Sequence, residues 1–192
     1  MKTNQQRLDF INSLPKEWKR PEIINESIFP KRRVIWLDTG IGITYFDGGC
    51  SIGGDGFGYE WDGEKLVEFP QRGDVRIGRD VRIGANVCID RATLEGNATE
   101  IGDGTKIDNL VHIAHNVKIG KHCMIGAGTV IGGSAEIGDR VCIWGGCFIE
   151  RKLKIGNGAE IRGGSALFSD VGENEVWAGN PAKLIFKQNG DE

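Results

Sequence analysis

The sequence predicts an all-β fold, a parallel β-helix of hexapeptide repeats, on three observations. Residues 75–170 fall into sixteen consecutive rows of six, with Ile in the third column of fourteen rows and Leu in a fifteenth. The first column holds only Val, Thr, Cys, Ala, Leu or Ser, and the fourth is Gly in nine rows. Glycine makes up 30 of 192 residues against only 5 prolines, which excludes collagen, where Gly recurs at every third position and Pro is abundant. A period of six is neither the spacing of an amphipathic helix nor the alternation of a two-faced strand. It is a solenoid period.

The columns carry the physics. Columns one and three lie two residues apart, so in a short strand they face the same side. Ile fills the interior and the small residue sits nearer the corner. Gly after the Ile suits a bend that needs φ > 0 or close backbone approach. Three rows make one triangular coil of eighteen residues, so stacked residues are expected eighteen apart. Sixteen rows give just over five coils and a prism of roughly 25 Å at ~4.8 Å per coil. Glu95 is the exception in the third column. A lone buried carboxylate is costly, so row 93–98 is expected to bulge, with Leu94 turning in and Glu95-Gly96-Asn97 turning out.

The flanks are less regular. Segment 1–33 is expected to be irregular apart from a short helix over 4–14, where Leu8, Ile11 and Leu14 share a face. Segment 34–74 reads as ragged first coils with a projecting hairpin, its strands flanking Asp62-Gly63. The hairpin's Phe57, Tyr59 and Trp61 are expected either to touch a ligand or to cover the open end of the prism. The prism proper is 75–170, and 171–192 is a tail.

Composition narrows the function. The net charge is -3, from 24 basic and 27 acidic side chains, which gives no electrostatic case for nucleic acid. No apolar run is long enough for a transmembrane segment, and no secretory signal is visible. Five cysteines without a CxxC pair point to reduced thiols in a cytoplasmic protein. There are three histidines, His112, His115 and His122. No two are eighteen apart, so a stacked zinc site within one chain is not expected. Nor does eighteen-residue stacking pair any cysteine with a histidine, which speaks against a thiol nucleophile. His115 lies at a bend outside the Ile column, where an imidazole can act as a general base.

The segments Ile52-Gly53-Gly54-Asp55-Gly56-Phe57-Gly58-Tyr59, Phe69-Pro70-Gln71, Ile89-Asp90-Arg91, Lys106-Ile107-Asp108-Asn109 and Ile113-Ala114-His115-Asn116-Val117 resemble the UDP-3-O-acylglucosamine N-acyltransferases of lipid A synthesis. The resemblance implies a left-handed prism and a homotrimer with sites between subunits. It implies His115 as the base that deprotonates a sugar amine, and the Gly133 amide, eighteen residues on, as the oxyanion donor. Asp90, Asp108, Asn109, Asn116, Phe57 and Tyr59 become candidates for substrate binding, and Asp90, Asp108 and Asn109 also for orienting the imidazole. Asp90 and Asp108, eighteen apart, are expected to stack, with corner-turning as their plainer role. The 33 residues before the first strands are too few for the family's uridine-contacting N-terminal domain.

The tail differs from that family. Gly179-Asn180-Pro181-Ala182-Lys183 is similar to the closing loop of coenzyme A-dependent sugar acetyltransferases, which lies beside the pantetheine arm, so Gly179, Asn180, Pro181 and Lys183 are candidates for the donor site. The expected reaction moves an acyl group from a thioester of coenzyme A or an acyl carrier protein to an amino sugar, with no permanently bound cofactor or metal. Sugar O-acetylation, metal-dependent hydration and a non-catalytic β-helix remain open as alternatives.

Overall fold

The computed structural model describes residues 34–36 and 45–188; the helix expected over 4–14 lies outside them. The described residues form strands and no helix. Three parallel sheets build the faces of a left-handed prism. The first stacks β1 (Val34–Trp36), β6 (Asp74–Ile77), β9 (Ala98–Ile101), β12 (Lys118–Ile119), β15 (Glu136–Ile137) and β18 (Lys154–Ile155). The second stacks β2 (Tyr45–Phe46), β7 (Arg82–Ile83), β10 (Lys106–Ile107), β13 (Met124–Ile125), β16 (Cys142–Ile143) and β19 (Glu160–Ile161). It closes with an antiparallel pair, β21 (Glu175–Gly179) and β22 (Ala182–Lys187). The third stacks β3 (Ser51–Gly54), β8 (Cys88–Asp90), β11 (His112–Ile113), β14 (Val130–Ile131), β17 (Phe148–Ile149) and β20 (Ala166–Leu167). A separate hairpin joins β4 (Tyr59–Trp61) to β5 (Leu66–Glu68).

The Ile column is the core. Ile83, Ile89, Ile113, Ile131, Ile149 and Ile161 are wholly buried, and burial of one such side chain stabilises by roughly 1.5–3 kcal/mol. First-column hydroxyls go inside with partners: Thr105 Oγ1 donates to Gly120 O at 2.9 Å and Thr129 Oγ1 to Trp144 O at 3.3 Å. The second column faces out. On the first sheet it reads Arg76, Glu100, Lys118, Glu136 and Lys154, an alternating ladder with ion pairs at 3.6 and 3.5 Å.

Column-four glycines serve close approach between coils, not φ > 0, except Gly96 in the extruded row, which has φ 83°. A methyl on Gly102, Gly120 or Gly132 would lie 2.5–2.6 Å from atoms of the next coil. The left-handed residues fall in column six instead, among them Asp80, Asn86, Leu110, Asn116 and His122.

The unbroken eighteen-residue stack does not hold. From β10 to β20 the spacing is eighteen, as in Ile107 on Ile125 on Ile143, and in the last coil it falls to sixteen, Ile161 on Trp177. One coil earlier it is twenty-four: Ile77 pairs with Ile101, Ile83 with Ile107 and Ile89 with Ile113. Row 93–98 supplies the difference. Only Ala98, its last residue, joins a strand, and 93–97 loop out of the prism. Glu95 faces solvent as expected, but Leu94 does too, at 59% exposure, so it does not turn in. A single residue could not be bulged out here without shifting every later side chain to the wrong face; extruding a whole row keeps the phase.

Candidate active site

His115 sits at the corner between β11 and β12, in the fifth place of its row. Two glycines make room for the ring. A methyl at Gly133 would lie 2.8 Å from His115 Cε1 and 2.9 Å from Nε2. One at Gly56, in the loop after β3, would lie 2.9 Å from Cδ2 on the same ring. The expected pairing of His115 with Gly133 is therefore present in space. The flanking amides are engaged: Gly132 N–H donates to Ile149 O and Ser134 N–H to His115 O, each at 2.9 Å. Gly133 N–H has no acceptor among the described residues.

The other face of the imidazole is polar. Asn116 Nδ2 lies 2.9 Å and Thr93 Oγ1 3.3 Å from Nδ1. Asn116, in the left-handed conformation at φ 61°, is held at three points. Its N–H donates to Thr99 Oγ1 at 2.9 Å, its Oδ1 accepts from Thr93 N–H at 3.0 Å, and its Nδ2 donates to Thr93 Oγ1 at 2.9 Å. Burial holds the His115 pKa below the ordinary histidine value, because a charged ring would lose solvation there. Beside this corner runs a shallow cleft lined by Phe69, Arg76, Thr93, Leu94, Asn116 and Ser134.

The remaining candidates are dispersed. Asp90 and Asp108 do not stack, because the twenty-four-residue coil intervenes: Ile89 pairs with Ile113, while Ile107 pairs with Ile83 and Ile125. They turn different corners. Asp90 lies 3.7 Å from His112 Nε2, and burial pushes its carboxyl up to about 6 against the pull of His112, with Asp55 adding to the rise. Asp108 accepts from Asn109 N–H, and Asn109 Oδ1 from Ala85 N–H, both at 2.7 Å; these bonds hold a corner, not the imidazole. Phe57 and Tyr59 meet edge to face at 5.2 Å. Phe57 is 90% exposed and Trp61 66%, so the hairpin aromatics do not cover the end of the prism. Gly179 ends β21, Asn180 and Pro181 turn between β21 and β22, and Lys183 follows on β22. That hairpin sits on the second sheet beyond β19 and is not brought to the His115 corner of the same chain.

The longer coil also overturns one exclusion. Cys88 and His112 are register partners after all, but no hydrogen bond joins them and His112 faces Asp90. The more buried thiols are poor nucleophiles. Burial raises the pKa of Cys50, Cys123 and Cys147, and that of Cys142 to about 11. Among the described residues no three His, Cys, Asp or Glu side chains form a metal-binding group, and no helix is long and apolar enough to cross a membrane. Thr93 is the site residue that the sequence did not single out. Its signal was Glu95, the break in the Ile column two residues on.

A left-handed prism of hexapeptide repeats is the fold class that the repeat and the three parallel sheets define. Residues 98–133 match the bacterial transferase hexapeptide (six repeats), and residues 74–111 and 116–151 match the hexapeptide repeat of succinyl-transferase. Within that class, the chain is 48% identical over 138 residues to UDP-3-O-acylglucosamine N-acyltransferase of Methylobacterium nodulans. The match covers 72% of this chain and 39% of that protein, so the chain spans about two fifths of the relative. Among solved structures, UDP-N-acetylglucosamine acyltransferase from Bacteroides fragilis superimposes with a TM-score of 0.65 at 26% identity, over 74% of this chain and 53% of that one. A histidine-to-alanine mutant of GDP-perosamine N-acetyl transferase from Caulobacter crescentus, in complex with CoA and GDP-perosamine, does so at 0.52 and 25%, over 61% of this chain and 51% of that one.

Proposed function

We propose that this protein transfers an acyl group from a thioester to the amine of a nucleotide-linked amino sugar. The observation that carries the reading is the seating of the His115 imidazole against Gly133, whose N–H has no acceptor among the described residues. The amine nitrogen attacks the thioester carbonyl carbon as His115 Nε2 takes the amine proton. The carbonyl oxygen becomes an oxyanion and accepts from Gly133 N–H, a donor already fixed by the coil. Collapse breaks the C–S bond, and the imidazolium returns its proton to the departing thiolate. No acyl-enzyme forms.

The N-acyltransferase relatives and the CoA-bound perosamine N-acetyl transferase support both the acceptor and the donor class. Coenzyme A is favoured over an acyl carrier protein because of the Gly179–Lys183 turn. That turn lies away from His115 in one chain, so donor and base meet in a homotrimer in which one subunit's turn approaches its neighbour's corner. The test is incubation with acetyl-coenzyme A or an acyl-loaded carrier protein and UDP-, dTDP- and GDP-linked sugars bearing amine or hydroxyl acceptors. The expected result is an acyl mass increment on an amino sugar, abolished in His115→Ala while the trimer persists. Turnover unchanged in His115→Ala, or activity that needs stoichiometric zinc, overturns the reading.

A further inference from the structure

We propose that Thr93 is a positioning residue for the base: its hydroxyl accepts the Nδ1–H of His115 and so leaves Nε2 unprotonated toward Gly133. The inference rests on the function proposed above and adds the group that sets the tautomer, a task the sequence had offered to Asp90, Asp108 or Asn109. None of those three bonds the imidazole.

A base working through Nε2 must rest with its hydrogen on Nδ1, and during the reaction it carries hydrogens on both nitrogens. Both states require an acceptor at Nδ1. Two side chains reach that nitrogen, and they pull in opposite directions. Asn116 Nδ2, at 2.9 Å, can only donate, and alone it would place the hydrogen on Nε2 and silence the base. The orientation of its amide is fixed, because Thr93 N–H donates to Oδ1 at 3.0 Å. Thr93 Oγ1, at 3.3 Å, is the one acceptor within hydrogen-bond distance of Nδ1 among the described residues. Its second lone pair takes Asn116 Nδ2–H at 2.9 Å, so the amide keeps a partner when Nδ1 is protonated. Thr93 thus both accepts from the ring and occupies its competitor. Its place is set by the extruded row: Arg72 N–H donates to Thr93 O at 2.9 Å, and this bond and the one to Asn116 Oδ1 use only the backbone of residue 93. Thr93→Val therefore removes the acceptor and keeps the frame.

The test reads the tautomer directly. In the full chain with 15N-labelled histidine, His115 is expected to show a protonated Nδ1 and a bare Nε2 at neutral pH. Thr93→Val is expected to move the hydrogen to Nε2, since Asn116 is left as the only partner of Nδ1. With the acyl transfer assay, kcat of Thr93→Val should fall about 10- to 100-fold, a part of the roughly 10²–10⁴ that a general base supplies, with KM within about twofold. Thr93→Ser should restore both the tautomer and most of kcat. A wild-type ring with its hydrogen on Nε2, or a tautomer and kcat unmoved by Thr93→Val, overturns the proposal. A merely structural threonine would lower Tm without moving the tautomer. If His115→Ala retains turnover, the base reading fails by itself; if His115→Ala is inactive and the Thr93→Val tautomer is unchanged, only the present inference falls.

Discussion

Replacing Gly133 by Ala is the sharpest test of the site, because it adds one methyl and removes no hydrogen-bonding group. The methyl would lie 2.8 Å from His115 Cε1 and 2.9 Å from Nε2, where carbon atoms normally rest about 3.5–4.0 Å apart. The ring must withdraw by roughly 0.7–1.2 Å to restore that spacing. The contacted atoms are the far end of a side chain, and Gly133 does not have positive φ, so the fold yields cheaply. The chemistry does not, since a base misplaced by about 1 Å costs on the order of 100-fold in rate, about 2.7 kcal/mol of barrier. Steady-state kinetics should show kcat down about 100-fold while Tm moves by no more than about 2–4 °C, the shift that 1 kcal/mol produces at this chain length. A kcat within threefold of wild type would refute the placement of the reacting centre between His115 and Gly133.

Four further outcomes follow from the same geometry. The acid limb of kcat/KM should have its midpoint below the ordinary histidine value, because burial lowers the His115 pKa and the base stays neutral to lower pH; a pH–rate profile with a midpoint above about 6.5 would contradict this. Asp90→Asn should raise Tm at pH 8 but not at pH 3. The Asp90 pKa is raised to about 6, so its favourable contribution is full below the unfolded value near 3.8 and disappears as pH rises through 6. Ile149→Ala empties a wholly buried core position and should cost about 2–5 kcal/mol in urea unfolding. Excising residues 93–98 restores an eighteen-residue coil; circular dichroism should still report the β-prism, whereas kcat should fall at least as far as in Thr93→Val, because Thr93 leaves with the loop.

Much of the prism was legible because its repeat is redundant. Every Ile in the third column says the same thing, and one face assignment fixes the next. The His115–Gly133 pairing was legible for the same reason, since the coils above the break are eighteen residues long and Gly133 lies within that stretch. What the spacing did not reveal is the step at residues 93–98. A row extruded whole leaves the phase of the sequence intact, so the columns stay aligned on paper while the stack beneath them is displaced by six. This one displacement explains each related error: the supposed Asp90–Asp108 stack, the inward Leu94 and the missing register between Cys88 and His112. It also explains why Thr93 escaped notice. In strict register Thr93 is a buried first-column residue like Thr129, with its hydroxyl turned inward. Outside the register it stands at the mouth of a corner, clasped to Asn116 and within reach of the imidazole. Glu95 marks the cause, since a carboxylate in a column of isoleucines makes the row too polar for the interior. The defect in the repeat and the polar side of the proposed base are therefore one feature. A row the prism cannot bury is turned out where it meets His115.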